Sequence, residues 1–333
     1  MEFTIGGRLE IRITPADVGK RVSVRRLLKD GPGGPKFTDT VGVLTSWDSG
    51  VVSVTKKSGE SVRIVESALV AGKVVPSAPP RHRGPAASFG ELAPVCARAW
   101  QPVESEPLGD WLLRAAGGFT RRANSVLPLG DPGVPLDDAL ARVGQWYADR
   151  GLPPCVQTST GGDGTQEELC AALEERGWRR EVTAEVRIAA TAPIGDLAAE
   201  VSRVRLSRTP DAAWLSRYQR FERPGPEVQA VLGSGPSVWF ATVPGDDGEA
   251  APAAIGRCVV DGRWAGFMAV EVAPEHRRRG LATTVMTALA RQAMDEGASA
   301  AWLQVEADNE GARALYDGMG FTTHHRYHHF RPA

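Results

Sequence analysis

Residues 270–282 join a strand-like apolar stretch, a basic turn and the start of a helix, and this combination can bind an anion. The first turn of a helix leaves backbone N–H groups unpaired and carries partial positive charge, so it can hold a phosphate or a pyrophosphate. Gly280 lets the backbone come close to such a ligand, and Ala282 keeps the first helical turn unobstructed. No lysine follows in the spacing of a P-loop, so the pattern disfavours a nucleoside triphosphate cradle.

Three further elements follow the basic turn and must position whatever it binds. A helical pattern runs from residue 281 to 296, with Gly297 as its stop signal, and an apolar strand pattern covers 301–306. A second helix is predicted to begin near Asn309, in the spacing N-x-x-A-x-x-L-Y that ends at Tyr316.

These motifs resemble the GNAT superfamily of acetyl-coenzyme-A-dependent N-acetyltransferases. The family carries R/Q-x-x-G-x-G/A after a strand, which Arg277–Ala282 matches, and N-x-x-A-x-x-L-Y followed by G-F, which Asn309–Tyr316 and Gly320–Phe321 match. The resemblance implies that acetyl-CoA is the cosubstrate, with its pyrophosphate on backbone N–H groups around residues 278–283 and its pantetheine arm paired with the preceding strand. The cofactor-binding residues that the resemblance implies are Val270, Val272, Arg277, Arg278, Arg279, Gly280, Leu281, Ala282, Thr283, Asn309 and Arg313.

The chemistry that the resemblance implies is attack of a primary amine on a thioester. The backbone N–H of Val272 is the family's usual donor to the oxyanion, and Tyr316 is the candidate general acid, unless it only packs near the cosubstrate. Some members place a basic glutamate five residues before the motif asparagine, where this chain has Gln304, which cannot accept a proton. Glu306, on the same face of that strand, and Glu271, beside Val272, remain as candidate bases that act directly or through water. Either could instead be a surface carboxylate without a catalytic role.

The chain of 333 residues is long enough for two or three domains, and its hydrophobic content of 42% is that of an ordinary globular protein. We predict an α+β protein with a small β-barrel over residues 1–76, a linker over 77–88, a degenerate GNAT-like domain over 89–190 and an active GNAT acetyltransferase domain over 191–333. Each GNAT-type α/β domain is expected to contain a mixed sheet with flanking helices.

The barrel is predicted because residues 8–75 alternate short β-patterned runs with turn residues, and this pattern resembles a Src-homology-type barrel. Such modules usually bind a partner or form dimer contacts, so the protein could be a homodimer that associates through this barrel. Residues 1–83 contain fourteen Lys and Arg against eight Asp and Glu, a balance that can attract nucleic acid or an acidic partner. An excess of this size is also common on solvated surfaces. We favour that interpretation and expect no nucleic-acid partner.

The degenerate domain is predicted from an internal repeat. Residues 137–178 repeat the order helix, strand, helix and Gly-aromatic pair of residues 281–321, which indicates a duplicated domain. The first copy lacks R-x-x-G-x-G/A before its helix. We therefore expect it to have lost acetyl-CoA binding and to shape the substrate groove.

Two short paired strands are predicted earlier in this copy, over residues 111–114 and 119–125. The second run contains Arg121, Arg122 and Asn124. These three side chains either face the substrate or are ordinary strand and turn residues, and the sequence supports both interpretations equally.

Cysteine and histidine spacing argues against disulfides and metal. Cys96, Cys155, Cys170 and Cys258 are dispersed without C-x-x-C pairs, which predicts reduced thiols. The histidine run at 324–329 lies in a predicted strand, where alternating side chains point to opposite faces and cannot all converge, so no metal is expected. No apolar run is long enough for a membrane span, and the first residues do not resemble a signal peptide. We expect a cytoplasmic protein without a membrane partner.

The acceptor is open between three interpretations. It could be a protein lysine, with the barrel and the degenerate copy recruiting a polypeptide, or a small amine. The third interpretation is a non-catalytic acetyl-CoA sensor whose binding alters the barrel's interactions. Tyr316 and the intact pyrophosphate motif favour turnover, whereas Gln304 agrees with the sensor.

Overall fold

The computed structural model describes residues 10–31, 34–75, 84–218, 220, 225–246 and 251–333. Most of the predicted linker, at residues 77–83, lies outside this description. The strands are β1 (Arg21–Gly31), β2 (Gly34–Asp48), β3 (Val51–Lys56), β4 (Ser61–Val65), β5 (Leu69–Val74), β6 (Glu104–Leu108), β7 (Trp111–Ala115), β8 (Leu127–Pro128), β9 (Val156–Thr160), β10 (Trp178–Ala190), β11 (Arg205–Ser207), β12 (Ser237–Val243), β13 (Ala254–Asp261), β14 (Trp264–Val272), β15 (Ala300–Glu306) and β16 (Thr322–Pro332). The helices are α1 (Phe89–Arg98), α2 (Leu136–Ala148), α3 (Glu167–Glu175), α4 (Ala192–Gly195), α5 (Ala212–Arg217), α6 (Pro226–Gly233), α7 (Leu281–Asp295) and α8 (Glu310–Gly318).

The chain divides into two compact units, each made of two separate stretches of sequence. One unit consists of Met1–Arg81 and Thr158–Arg179, and the other consists of His82–Gln157 and Arg180–Ala333. This division differs from the domain boundaries predicted from the sequence, which remain a prediction.

The first unit is built on a five-stranded sheet in the order β4-β3-β2-β1-β5, in which every neighbouring pair is antiparallel. The predicted β-rich N-terminal domain is confirmed, but the closed barrel is not: β4 and β5 lie at opposite edges of the described sheet. Alternating patterns predict strands and hairpins, whereas closure depends on the curvature that brings the edge strands together, and spacing does not encode it. The core of this sheet consists of Ile13, Val22, Val24, Leu44, Val52, Val54, Ile64 and Leu69.

The second unit contains most of an eight-stranded sheet in the order β11-β12-β13-β14-β15-β10-β16-β9. β14 and β15 run parallel, whereas β12, β13 and β14 pair antiparallel with one another in turn, and β10 pairs antiparallel with β15. A mixed sheet with flanking helices is therefore confirmed, but it is one sheet: β9 and β10 of the predicted first copy and the strands of the second copy share it.

Side chains of this sheet alternate between two hydrophobic clusters, one on each face. The helix-side cluster, on the face that α7 covers, includes Phe267, Val285, Leu289, Leu303 and Phe321. The opposite-face cluster includes Trp100, Tyr218, Trp264, Met268 and Trp302. Consecutive residues of β14 and β15 thus face α7 and the opposite cluster in turn.

The stretch predicted as a strand over residues 119–125 is instead a loop with a 3-10 turn at Arg122–Asn124, and β7 pairs with β6 and β8. Asn124 explains the difference. Its side-chain oxygen accepts hydrogen bonds from the backbone N–H groups of Ala116 and Gly118, and its amide donates to the carbonyls of Phe119 and Thr120. The amide of one buried asparagine thus satisfies backbone groups that a strand partner would otherwise satisfy.

Candidate active site

An opening between β14 and β15 lies at the centre of the second unit. The two strands pair in register from Trp264 with Ala300 to Phe267 with Leu303. Beyond that point no pairing between them occurs in the described chain, although β14 continues to Val272 and β15 to Glu306. Ala269 has a φ of 50°, and the β13–β14 register shifts at the same place. This bulge bends β14 away from β15 and leaves one edge of its last residues, including Val270 and Val272, without a partner strand.

The basic turn leads directly into α7. Gly280 has a φ of 78°, which favours glycine, and a Cβ added there would have nothing within 4 Å. Since glycine has no side chain, the N-terminus of α7 has no side-chain cap, and the N–H groups of its first turn are available to a ligand. Arg277, Arg278 and Arg279 are exposed around this turn. The predicted cofactor residues from Arg277 to Thr283 therefore form one continuous segment with the geometry of an anion site.

Arg279 is held in place by contacts that sequence reasoning missed. Its Nη1 lies 3.4 Å from Asp246 Oδ2 and 3.2 Å from Nδ1 of His276, which is buried. Only the adjacency of His276 to the basic turn could have indicated its part in this arrangement.

Two phenylalanine rings lie between Tyr316 and the point where β14 and β15 separate. Its ring centroid lies 5.9 Å from that of Phe321, which lies 6.4 Å from that of Phe267, the last β14 residue paired with β15. Burial raises the pKa of Tyr316 to about 12, although the charge of Arg187 opposes this shift. The side chain is thus placed on the helix side of the opening and keeps its proton at neutral pH.

The other residues of the second motif fix α8. The side chain of Asn309 accepts a hydrogen bond from the N–H of Ala312 at 3.1 Å and so caps the helix. Arg313 donates to the carbonyl of Ala307 at 3.2 Å and lies 3.5 Å from Glu185. The contact of Asn309 and Arg313 with acetyl-CoA remains a prediction.

Arg187 and Glu185 are buried residues of β10 that the sequence reasoning missed. Arg187 donates to the carbonyls of Arg313 and Phe321, each at 3.1 Å, and to the carboxylate of Asp317. Glu185 accepts from Thr323 and Arg326. Burial opposes ionisation of Glu185, but these hydrogen bonds and the charge of Arg313 lower its pKa overall. Two charged residues in the otherwise apolar second half of β10, residues 184–190, were the available signal for this network, which holds the end of α8.

The candidate bases lie near the opening but differ in exposure. Glu306 is exposed and ends β15, whereas Glu271 is half-buried in the last part of β14. Gln304, the first β15 residue after the paired segment, accepts a hydrogen bond from Nη1 of Arg122. Of the three loop residues singled out in the sequence, Arg122 alone is bonded to β15: Arg121 lies 3.7 Å from Glu181, and Asn124 holds the loop.

In the described residues no group of three or more His, Cys, Asp or Glu side chains could hold a metal ion. Within the histidine run, the Nδ1 atoms of His324 and His325 lie 2.7 Å apart, whereas Nδ1 of His328 forms a hydrogen bond with Thr183 at 2.8 Å.

All four cysteines are free thiols. No described helix is long and apolar enough to cross a membrane.

Two named relatives align with nearly their whole length. The probable histone acetyltransferase Rv0428c of Mycobacterium tuberculosis (strain ATCC 25618 / H37Rv) is 28% identical over 312 residues, which cover 92% of this chain and 93% of the relative. The uncharacterized N-acetyltransferase YobR of Bacillus subtilis (strain 168) is 28% identical over 244 residues, which cover 71% of this chain and 95% of the relative. Among solved structures, a conserved protein of unknown function from Staphylococcus epidermidis ATCC 12228 shares the fold, with a TM-score of 0.51 at 11% identity over 70% of this chain and 94% of that one.

Family models match both parts of the chain. Residues 16–73 match the model described as the Rv0428c N-terminal Sm-like domain. Residues 88–330 match the model described as the probable histone acetyltransferase Rv0428c C-terminal region. Since the second match alone covers well over half of the chain, this protein belongs to the family of that model, the probable histone acetyltransferase Rv0428c C-terminal family.

Proposed function

We propose that this protein transfers an acetyl group from acetyl-CoA to a primary amine. The observation that carries the proposal is that three features lie in one unit. They are the uncapped N-terminus of α7, the opening between β14 and β15, and the protonated Tyr316, whose ring packs through Phe321 towards that opening. The residues agree with the cosubstrate, because the open space at Gly280 and the exposed arginines suit a pyrophosphate.

Bound acetyl-CoA would supply a thioester carbonyl. The amine nitrogen forms a bond to the carbonyl carbon, the carbon–sulfur bond breaks, and the coenzyme A thiolate leaves with the electron pair. Tyr316 can donate the proton that the thiolate takes up, because a phenol is neutral at pH 7 and carries a transferable O–H.

The backbone of Val272 is suited to stabilise the oxyanion. The N–H of the next residue, Ala273, donates to the carbonyl of Ala253, so by the alternation of an antiparallel ladder the Val272 N–H points to the edge that has no partner strand. It can therefore donate to the oxyanion, a kind of contact whose loss typically costs about 2.7 to 4 kcal/mol of barrier.

The amine must lose a proton before it attacks, because an alkyl amine with a pKa of about 10.4 is mostly protonated at pH 7. Glu271 and Glu306 are the two candidates to receive it. Glu271→Gln and Glu306→Gln variants separate them: the variant that removes the base loses about 100-fold or more in kcat and the acidic limb of its pH–rate profile. If both variants keep the acidic limb of the pH–rate profile, the amine is deprotonated by solvent.

For the acceptor we retain two candidates, a protein lysine and a small amine. The name of the Mycobacterium tuberculosis relative favours the protein lysine. The positive charge of Arg122 beside Gln304 favours an acceptor that carries a negative group. The sensor interpretation receives less support, because Tyr316 is suited to proton transfer.

The test follows release of the coenzyme A thiol from acetyl-CoA, with lysine-containing peptides and a panel of small amines as acceptors. Peptide acetylation that falls sharply in Tyr316→Phe would support a protein lysine acetyltransferase with Tyr316 in the proton path. Turnover restricted to small amines would support the second candidate. Measurable acetyl-CoA binding without turnover on any acceptor would contradict the proposed transferase and favour the sensor.

A further inference from the structure

Two guanidinium groups, those of Arg122 and Arg257, flank the opening on the face of the sheet opposite α7. Arg122 bonds Gln304, the first β15 residue beyond the paired segment. Arg257 lies opposite Met268, the first β14 residue beyond it, and its Nη1 is 3.2 Å from the Met268 sulfur. Both guanidinium carbons lie over the buried ring of Trp100, at 4.9 Å and 5.1 Å from its centroid.

Neither arginine has a carboxylate partner within the described residues. Arg257, which is fully buried, donates to the carbonyls of Ala99, Leu232 and Ser234. The side chain of Arg122 donates to the neutral amide of Gln304 and lies over the Trp100 ring, and the positive charges of Arg114 and Arg257 are near it. Burial lowers the pKa of Arg257 to about 9, which reflects the cost of a charge without an opposite charge nearby.

The same unit does pair a buried arginine elsewhere. Arg187 on β10 is similarly enclosed, and it contacts the carboxylates of Glu185 and Asp317. Arg114, which is also buried in this unit, has neutral partners instead: the carbonyl and hydroxyl of Ser125 and the side chain of Gln157. Arg122 differs from Arg114 in its exposure and in its position at the opening, where an anionic group of a ligand could approach its charge.

Arg122 is the member of the pair that a ligand can reach. It is half-buried, whereas Arg257 is enclosed. A guanidinium has five N–H donors in a planar fork that matches a carboxylate, and one nitrogen of Arg122 holds Gln304. The loop that carries it is rigid, because Asn124 makes four hydrogen bonds within it and Thr120 accepts one from the indole of Trp100.

We propose that the acceptor carries a carboxylate near its reactive amine, and that Arg122 binds this carboxylate while the amine lies at the opening between β14 and β15. This inference rests on the proposed amine acetylation and narrows its acceptor. Two sources present the same chemistry: a free amino acid, and a peptide lysine with an acidic neighbour.

The test uses the full chain and acceptors that differ only in charge. Glycine, γ-aminobutyrate and ε-aminocaproate are each compared with the corresponding amide, and a lysine peptide flanked by glutamate is compared with one flanked by glutamine. Binding is measured by calorimetry and acetylation by thiol release. We expect carboxylates of the recognised class to bind about tenfold to a hundredfold more tightly than their uncharged counterparts, because hydrogen bonds to charged groups contribute about 1.5 to 3 kcal/mol.

Arg122→Gln should abolish this preference, and Arg122→Lys should restore only part of it, because lysine lacks the planar fork. Arg121→Gln is the matched control on the same loop, where Arg121 faces Glu181, and it should retain the full preference. Thermal unfolding checks that each variant is folded. The wild-type comparison of acid with amide does not depend on any substitution.

If the carboxylate is preferred to the amide only among the free amino acids, the acceptor is a free amino acid. If it is preferred only among the peptides, the acceptor is a peptide lysine with an acidic neighbour. Equal binding of acids and amides, no binding of any carboxylate probe, or a preference that survives in Arg122→Gln would each overturn the proposal. Retained carboxylate preference in binding, without acetylation of any probe, would instead support the carboxylate site and contradict the proposed transferase activity.

Discussion

At the scale of single residues, the position of Tyr316 is set by packing rather than by a polar network. Its ring lies against Phe321, and Phe321 lies against Phe267 at the point where β14 and β15 separate. Burial raises its pKa to about 12, although the charge of Arg187 opposes this, so the phenol is protonated over the whole physiological range. The raised pKa makes Tyr316 a weaker acid than a free tyrosine, so its case as the general acid depends on its position and not on the shift.

The substitution Tyr316→Phe should lower kcat by about 100-fold to 10,000-fold, the usual contribution of a general acid or base. Ring packing is conserved in the variant, so its affinity for acetyl-CoA and its stability should change little. Rates from thiol release, acetyl-CoA affinity from calorimetry and stability from urea unfolding check these three expectations.

Tyr147→Phe is the matched control for this prediction. The Tyr147 hydroxyl donates to the carbonyl of Arg114 at 2.9 Å, and Tyr147 lies on α2, outside the motifs of the proposed active site. Its loss should reduce stability by about 1 kcal/mol and leave kcat of the folded enzyme unchanged. An unchanged kcat in Tyr316→Phe would remove Tyr316 from the proton path and leave it a packing residue.

At the scale of elements, α7 begins and ends with glycines of similar conformation. Gly280 has a φ of 78° and Gly297 a φ of 92°, and a Cβ at either position would have nothing within 4 Å. Alanine at each position should therefore cost a similar amount of stability, about 1 to 2 kcal/mol of left-handed strain. Only Gly280→Ala places a methyl group where the pyrophosphate is proposed to approach.

We accordingly expect Gly280→Ala to weaken acetyl-CoA binding by about tenfold or more, as loss of a close backbone contact worth about 1.4 kcal/mol would do. Gly297→Ala should bind acetyl-CoA as the wild type does. Calorimetry measures the affinity of each variant for acetyl-CoA, and urea unfolding measures the stability that each variant loses to backbone strain. Equal weakening in both variants would mean that strain in α7, and not access to its N-terminus, controls binding.

Sequence patterns predicted the elements of the site well and its long-range contacts poorly. The helix predicted over 281–296 is observed as Leu281–Asp295, because strong periodicity and a glycine stop are local signals. The strand predicted over 119–125 is a loop, because the amide of Asn124 replaces a strand partner. The bond between Arg122 and Gln304 joins residues far apart in the chain, and no local pattern encodes such a contact.

At the scale of the whole molecule, the last strand couples stability to pH through buried histidines. His325, His328 and His329 of β16 are almost completely buried. Burial lowers the pKa of each to about 3, from an ordinary value of 6.5, and neighbouring charges add to the effect. The folded protein thus holds these rings neutral under conditions in which the unfolded chain protonates them.

The sign of the effect follows from proton binding. Between about pH 6.5 and pH 3 the unfolded state binds more protons than the folded state, so stability falls as the pH falls. Each such histidine contributes a slope of about 1.4 kcal/mol per pH unit within this window. Urea unfolding at a series of pH values from about 7 to about 5 should show a steep loss, to which protonation of carboxylates also contributes.

His329→Phe isolates one histidine from this sum. In the described structure neither ring nitrogen of His329 has a hydrogen-bond partner, and the charges of Arg114, Arg121, Arg122 and Arg331 further disfavour its protonation. Phenylalanine removes the unsatisfied polar atoms, so stability at pH 7 should be equal to or greater than that of the wild type. Below about pH 6.5 the variant should lose stability more slowly, by about 1.4 kcal/mol per pH unit. Parallel stability curves for the two proteins would mean that His329 binds its proton equally well in the folded and unfolded states, and the buried ring would then have no part in the acid sensitivity.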